Sequence, residues 1–497
     1  MSKLYEKSQK KFKFFEQTQD VEKTLCEFKF SDNSIHKPSK HNKNIPIVGL
    51  GGVPLSGNGN NGKSVFVDHS DSHTLVIGPT GSKKSRLIVM PMVRILGEAQ
   101  ETMIICDPKA EIYDRMTEYL KKRNYNIFIL NLRDPNYGDC WNPLSMAFEF
   151  YKKNDIDMAY ELVNDIVTNI AFRERATNDP FWDNSFASLL LGLIMLLFKL
   201  CKEKNLEDNL VNIWNVIELR KELFTKEGIR NNLSNNKIWE YATKDDFIET
   251  ALIGTVMAPE GTQRSILSTF DEKMRIFSTQ PNLLRMLSDN TINFQELISK
   301  PTAMFLILPD EKTSYHGLVS LFVKQSYEYI IYLLQKNRAD SNTIRVNYIL
   351  DEFSSLPTIN DFPAMITAAR SRNIRFNIII QSKHQLLLRY KDDTDTIQSN
   401  CNNWIFLTSR ELELLREISE LCGKSVEHGI VNSIIPIDEL QRLEKEKGEA
   451  LILSGRKKPY ITRLPDIEAY DNNRYNKIPI KKRSETEIVS INFDELF

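Results

Sequence analysis

Apolar runs of strand length recur along the chain. They fall at His73–Ile77, Thr102–Cys106 and Asn126–Leu130, and again at Thr302–Leu308, Ile344–Leu350, Arg375–Ile380, Asn403–Thr408 and Glu449–Leu453. Between the first three lie two stretches with helical spacing: Arg86–Leu96, which keeps the spacing despite Pro91, and an amphipathic one ending near Arg123. Strand and helix in alternation predict an α/β domain with a parallel-rich central sheet and crossover helices. From about Asn142 the rhythm changes. Up to roughly Asn290 the periodicity is helical, at Asn154–Phe172, Phe186–Cys201, Asn209–Phe224, Asp246–Met257 and Thr262–Phe277. An all-helical insert therefore interrupts the sheet domain. The expected organisation is a polar arm and linker over 1–64, its first residues (1–30) helical and the rest loops. Then come a first sheet-domain part over 65–147, the insert over 148–290, a second sheet-domain part over 291–468, and a flexible tail over 469–497.

Composition narrows the classes. Of the 497 residues, 41% are hydrophobic and 26% charged, which is ordinary for a globular chain. A formal net charge of −1 supplies no general basic field, so contact with DNA has to come from local patches. The run Ser8–Lys13 is a patch for DNA or lipid headgroups, or a solvated face. The six cysteines contain no C-x-x-C pair, which argues against a zinc site or a disulfide framework and suits a reducing cytosol. The N-terminus has no apolar core of a secretory signal. Phe186–Phe198 is apolar but too short to cross roughly 30 Å of hydrocarbon, so it reads as a helix buried in the insert.

The chemistry concentrates at the ends of strands. Gly78-Pro79-Thr80-Gly81-Ser82-Lys83-Lys84-Ser85 follows one predicted strand and opens a helix, the setting of a phosphate-binding loop. There Lys84 would reach the β/γ-phosphates of ATP and Ser85 would ligate Mg²⁺. The pattern asks for Gly at position 83, and this chain has Lys83. Gly57–Ser64 satisfies the same pattern at every position, yet a short strand and a turn follow it, so it reads as a hairpin or linker. Ile344–Leu350 ends in Asp351-Glu352, a Walker B arrangement in which Asp351 serves Mg²⁺ and Glu352 polarises the attacking water. Gln381 ends the next strand, where it senses the γ-phosphate, orients water, or caps the helix that follows. Asp107, at the end of the second strand, is either a site residue or a helix cap.

Taken in order, several stretches resemble the type IV coupling proteins, RecA-like ATPases that bring DNA to conjugative and type IV secretion channels. They are His73–Ser85, Asp107–Glu111, Trp141-Asn142-Pro143, Asp179–Trp182, Leu350–Phe353, Ala369-Arg370 before Gln381-Ser382 and Gln385-Leu386, and Gly448–Ala450 with Pro459. The resemblance, which covers about 65–465, implies a RecA-like P-loop NTPase domain, interrupted by the helical insert, that assembles as a homo-hexamer with nucleotide between subunits. It implies DNA, a relaxase-like cargo protein and secretion-channel components as partners, and it puts Arg370 where the family has an arginine finger acting on the neighbour's γ-phosphate. The chain lacks the family's N-terminal membrane helices, so the reading is a cytoplasmic member that contacts a membrane only through a partner. Lys83 keeps a non-hydrolysing receptor ring open as an alternative to the motor. A hexameric DNA pump for segregation, packaging or defence is a further one.

Overall fold

The structure, a computed structural model, describes residues 22–31, 33–37, 49–171, 180–224, 236–309, 311, 315–336, 343–427, 430–470, 475–484 and 487–496. The Lys-rich run at 8–13 and Asp179 lie outside these residues. Among the described residues, four strands precede the one that leads into the phosphate loop: β1 (Cys26–Lys29), β2 (Ser34–His36), β3 (Val53–Gly57) and β4 (Ser64–Asp68), in an antiparallel sheet ordered β2-β1-β4-β3. In the described part of this region the strands correct the expectation of helix through residue 30 and of loops up to residue 64; residues 1–21 of the expected helical arm lie outside the described residues. Cys26 and Phe28 are buried while Glu27 and Lys29 are half-exposed, so the short segment has the two-residue period of a strand amid polar neighbours.

Among the described residues the main sheet has nine strands. They are β5 (Thr74–Ile77), β6 (Thr102–Asp107), β7 (Asn126–Asn131), β8 (Thr302–Ile307), β9 (Val346–Leu350), β10 (Ile374–Ile380), β11 (Asn403–Phe406), β14 (Glu449–Ser454) and β15 (Tyr460–Arg463), while β12 (Lys424–Glu427) and β13 (Ile430–Ser433) form a separate hairpin. The order is β15-β14-β11-β5-β10-β9-β6-β8-β7. Pairings of β11 with β5, β5 with β10, β10 with β9, β9 with β6 and β6 with β8 are parallel, and β14 and β15 add an antiparallel edge. Every residue of β5, β6, β8, β9 and β10 is buried, which is why these strands read as unbroken apolar runs.

The N-terminal ends of these strands are held by a buried ion pair. Arg375 of β10 pairs with Glu101, and both are almost fully inaccessible. Arg375 also donates to Asn347 of β9 at 2.8 Å and to the Gly51 carbonyl at 3.0 Å, while Glu101 accepts from Asn347 at 2.9 Å and from the Gly51 amide at 3.0 Å. The alternative to a finger at Arg370 is a solvated or DNA-facing cluster of Arg370, Arg372 and Arg375. Arg375 instead satisfies a buried carboxylate.

Leu130–Asn293, Lys312–Ser326 and Ile480–Phe497 form one compact unit, and Met1–Ile129, Phe294–Glu311 and Tyr327–Pro479 the other. The first is helical, built around Pro180–Glu203. That helix is long and apolar enough to span a membrane by length and composition, but 72% of its most apolar window is buried. At Gly192 it meets Asp246–Val256 so closely that a Cβ would lie 2.6 Å from Leu252. The stretch expected as a free tail is seated where it is described: Lys477 pairs with Asp114 at 2.7 Å in the sheet unit, and Phe493 is buried in the helical one.

His73 sets an acid limit on the sheet unit. It is buried at the start of β5, with Nε2 donating to Ile366 O at 2.8 Å and Nδ1 accepting the Phe376 amide at 3.0 Å. Burial pulls its pKa down to about 4, so the folded imidazole stays neutral. In the unfolded chain it takes a proton near 6.5, so between these values only the unfolded state binds that proton and stability falls with pH. Wild type should lose about 3 kcal/mol from this group between pH 6.5 and 4. In urea titrations across that window, His73→Gln should start less stable and show a flatter acid dependence; an unchanged slope would assign the acid sensitivity elsewhere.

Candidate functional site

The parallel register brings the predicted residues to one edge. Ile77 of β5 pairs with Ile380 of β10, and Leu350 of β9 pairs with Ile378 on one side and Cys106 of β6 on the other. The residues that follow, Gly78, Gln381, Asp351 and Asp107, therefore leave the sheet together at its C-terminal edge, where such sheets bind ligands. A cavity of about 370 Å³ opens there. It is lined by Thr80–Arg86, by Asp107, Lys109 and Glu111 after β6, and by Asp351, Glu352 and Gln381. Four of the five residues given catalytic roles, Lys84, Asp351, Glu352 and Gln381, thus meet in one place. Arg370 does not join them: it is exposed, in a 3₁₀ turn after the helix Phe362–Ala369.

The loop is tightly wound. A Cβ on Gly78 would lie 2.6 Å from Ser82 Oγ, and Gly81 has φ of +80°, so both glycines answer a backbone need. Lys84 Nζ donates to the Gly78 carbonyl and, at 3.1 Å, to the Pro79 carbonyl. Its ammonium is thus held by the loop itself, and burial pulls its pKa down against the upward pull of Asp351 and Glu352. Ser85 opens a π-helical turn, Ser85–Val89, which passes into the α-helix Met90–Glu98 with Pro91 in the first turn. Pro91 has no N–H to give to the turn before it, and the wider π-helical turn just upstream is where the helix accommodates that loss, so the helical spacing continues past it.

Lys83 has φ of +66°, in the left-handed region. This is a physical reason for glycine at that position: the backbone turn, more than side-chain room, excludes other residues, at a cost of roughly 1–2 kcal/mol. The Lys83 side chain turns away and pairs with Glu446. Two further contacts come from the same part of the chain. Lys445 Nζ lies 3.4 Å from the Gly81 carbonyl, and Arg86 is held by Asp466 at 2.7 and 2.8 Å and by Glu468 at 2.7 Å. The sequence reading missed these partners, since more than 360 positions separate them from the loop.

A hydrogen-bonded chain crosses the cavity. Thr80 Oγ1 donates to Gln381 Oε1 at 3.0 Å, and Gln381 Nε2 donates to Glu352 Oε1 at 3.1 Å. The helix-cap alternative for Gln381 falls to its neighbour, because Ser382 caps Lys383–Tyr390 by accepting the Gln385 amide. Asp107 accepts the Tyr113 amide at 2.8 Å at the start of a helix, as the cap reading expects, and it also lines the cavity. Burial pushes Asp107 up to about 7, aided by Asp351, and pushes Asp351 up to about 6, with Lys84 opposing and Glu352 adding. Two crowded carboxyls short of positive charge fit a divalent cation. Among the described residues no three His, Cys, Asp or Glu group as a protein-only metal site, but Mg²⁺ at phosphates takes most of its ligands from phosphate and water. Lys109 and Glu111 join the cavity without having been singled out; their sole signal was the Asp-Pro-Lys-Ala-Glu run at a strand end.

The family model for type IV secretory system conjugative DNA transfer matches residues 26–429. The chain belongs to this family. No curated protein matches it in sequence. Among solved structures, the bacterial conjugative coupling protein TrwBdeltaN70 in an unbound form is similar at a TM-score of 0.58 and 16% identity, over 82% of this chain and 87% of that one. TrwB with the ATP analogue ADPNP is similar at 0.58 and 16%, over 84% and 89%, and TrwB with ADP and Mg²⁺ at 0.54 and 15%, over 84% and 88%. At these identities the likeness establishes the fold, a RecA-like α/β domain with a helical region, as the family resemblance implied.

Two outcomes test the site. Lys84→Ala should abolish nucleotide binding measured by a fluorescent ATP analogue, whereas Lys63→Ala should leave it within about twofold. Lys63 lies in the loop joining β3 to β4, an antiparallel hairpin with no helix after it, which is how the context argument reads Gly57–Ser64. Lys83→Gly should relieve the left-handed strain and leave affinity for the same analogue within about threefold, because the lysine side chain already points away.

Proposed function

We propose that this member of the conjugative DNA transfer family is an ATP-hydrolysing motor that moves DNA, or a DNA–protein substrate, toward a type IV secretion channel. The observation that carries this reading is the convergence of Lys84, Asp351, Glu352 and Gln381 on one cavity at the end of the parallel sheet. The loop Gly78–Ser85 binds the phosphates of ATP, and Lys84 exchanges its loop carbonyls for the β/γ-phosphates. Ser85 and Asp351 hold Mg²⁺, which supplies charge neutralisation when bound. Glu352 polarises the attacking water, and Gln381, bonded to Thr80 on one side and Glu352 on the other, couples that carboxylate to the loop. TrwB has been solved with ADPNP and with ADP and Mg²⁺, which supports ATP and Mg²⁺ as the ligands here.

Arg370 acts in trans. An exposed arginine away from its own cavity suits a homo-hexamer in which each subunit supplies a finger to its neighbour. The helical segment over 148–290 selects DNA or a relaxase-like cargo, and channel components bring the ring to the cytoplasmic face of the membrane. The receptor alternative rested on Lys83, and the pairing of that side chain with Glu446 supports the motor reading over it.

Glu352→Gln should retain Mg²⁺-dependent ATP binding and lose at least about 10²-fold in DNA-stimulated hydrolysis. Arg370→Ala should bind ATP normally and lose about 10³-fold in turnover, with activity partly restored in rings mixed with Lys84→Ala subunits. Verified co-assembly without any restoration would exclude a finger acting across the interface. Wild type inert with DNA while Lys83→Gly gains strong hydrolysis would establish the receptor reading.

A further inference from the structure

Asn212 and Asn215 lie at the start of the helix Ile213–Phe224, and both are fully buried. Asn212 caps the helix, its Oδ1 accepting the Asn215 amide at 2.9 Å. The two side-chain amides also hold the backbone of the chain's own C-terminal segment. Asn215 Oδ1 accepts the Ile491 N–H at 2.9 Å, and Asn215 Nδ2 donates to the Val489 carbonyl at 3.1 Å. Asn212 Nδ2 donates to the same carbonyl at 3.1 Å. One amide group taking the N–H of one residue and giving to the C=O two residues earlier reproduces the bonding of a neighbouring parallel strand. Asn215 therefore stands in for a strand and reads an extended peptide through its main chain.

Side chains add few anchors. Phe493 is buried, at 5% exposure, and Ile488 and Ile491 are half-covered, while Val489, Ser490 and Asn492 point to solvent. Main-chain recognition with alternate side chains as anchors is the logic of strand-addition sites, which tolerate different sequences between the anchors. A segment held by so few buried contacts belongs to the part of a structure that opens first.

We propose that this groove on the helical unit is a peptide-binding site for a partner protein. Its ligand is an extended segment with aliphatic anchors at the positions of Ile488 and Ile491, an aromatic at that of Phe493, and acidic residues after it, as Asp494 and Glu495 are here. The chain's own C-terminal segment is the occupant in cis, and a partner peptide has to displace it. A partner is favoured over a second copy because each copy's groove is already filled by its own tethered segment, and an identical segment from another copy gains no contact with which to outcompete that tether. The proposal is independent of the nucleotide site, and its readout is peptide binding alone.

The test uses the full chain and a fluorescein-labelled peptide of sequence 487–497, followed by anisotropy. In wild type the tethered segment competes at an effective concentration on the order of millimolar, so the peptide should bind weakly. Phe493→Ala in the protein should loosen that segment and raise peptide affinity at least about tenfold. N-methylation of the peptide at the Ile491 position removes the N–H that Asn215 accepts and should lower affinity at least about tenfold, without any change to the protein. A peptide with the same three anchors and altered residues at 489, 490 and 492 should bind within about threefold. Equal binding to wild type and Phe493→Ala, or full binding of the N-methylated peptide, would overturn the proposal. Concentration-dependent dimerisation of wild type that Phe493→Ala abolishes would give the groove to a second copy and overturn the partner assignment.

Discussion

The level at which the parallel strands stop is the constraint on which the site depends. Leu350 faces Cys106 across β9 and β6, so Asp351 and Asp107 emerge side by side, and burial holds both carboxyls above their usual range, with Asp351 adding to the rise at Asp107. Ile378 rather than Ile380 faces Leu350, so β10 runs two residues further and sets Gln381 beyond Asp351, within reach of Glu352 and Thr80. A slip of one residue in any pairing would turn every side chain of that strand to the opposite face. The buried Arg375–Glu101 pair, with Asn347 and Gly51, ties β10 and β9 to the start of β6 at the far end. An unpaired charge there would be costly, so the network disfavours any other register.

The phosphate loop is stabilised by parts of the chain remote in sequence. The antiparallel edge strands β14 and β15 are flanked by the turn carrying Lys445 and Glu446 and by Asp466 and Glu468, and these reach Gly81, Lys83 and Arg86. Strain accompanies this arrangement, since Lys83 and Glu352, both in the cavity wall, have left-handed backbones. Non-glycine residues hold that conformation where their surroundings over-determine it, and such residues cluster at functional sites. The Lys83–Glu446 pair is exposed on the Glu446 side and contributes little energy by itself. Its consequence is geometric: it ties a long cationic side chain of the cavity wall to a partner that is not part of that wall.

Hydropathy and strand-end chemistry by themselves determined the sheet, the helical segment and the residues that meet at the cavity. Strands buried on both faces leave continuous apolar runs, and Gly-rich or acidic residues after such runs mark the ligand-binding edge. The same local signal separated Gly78–Ser85 from the better-matching Gly57–Ser64, because a helix follows one and a strand the other. Short half-polar strands such as Cys26–Lys29 were illegible, since four residues at period two do not stand out among charged neighbours. Tertiary structure alone decided what each charge does. Arg370 and Arg375 lie five positions apart in one basic run, yet one is exposed and the other neutralises Glu101, 274 positions away. The Lys83 side chain takes its direction from Glu446, 363 positions on. Local sequence specifies backbone preference and burial, but the partner of a buried or strained charge is set by contacts that form only when distant segments pack.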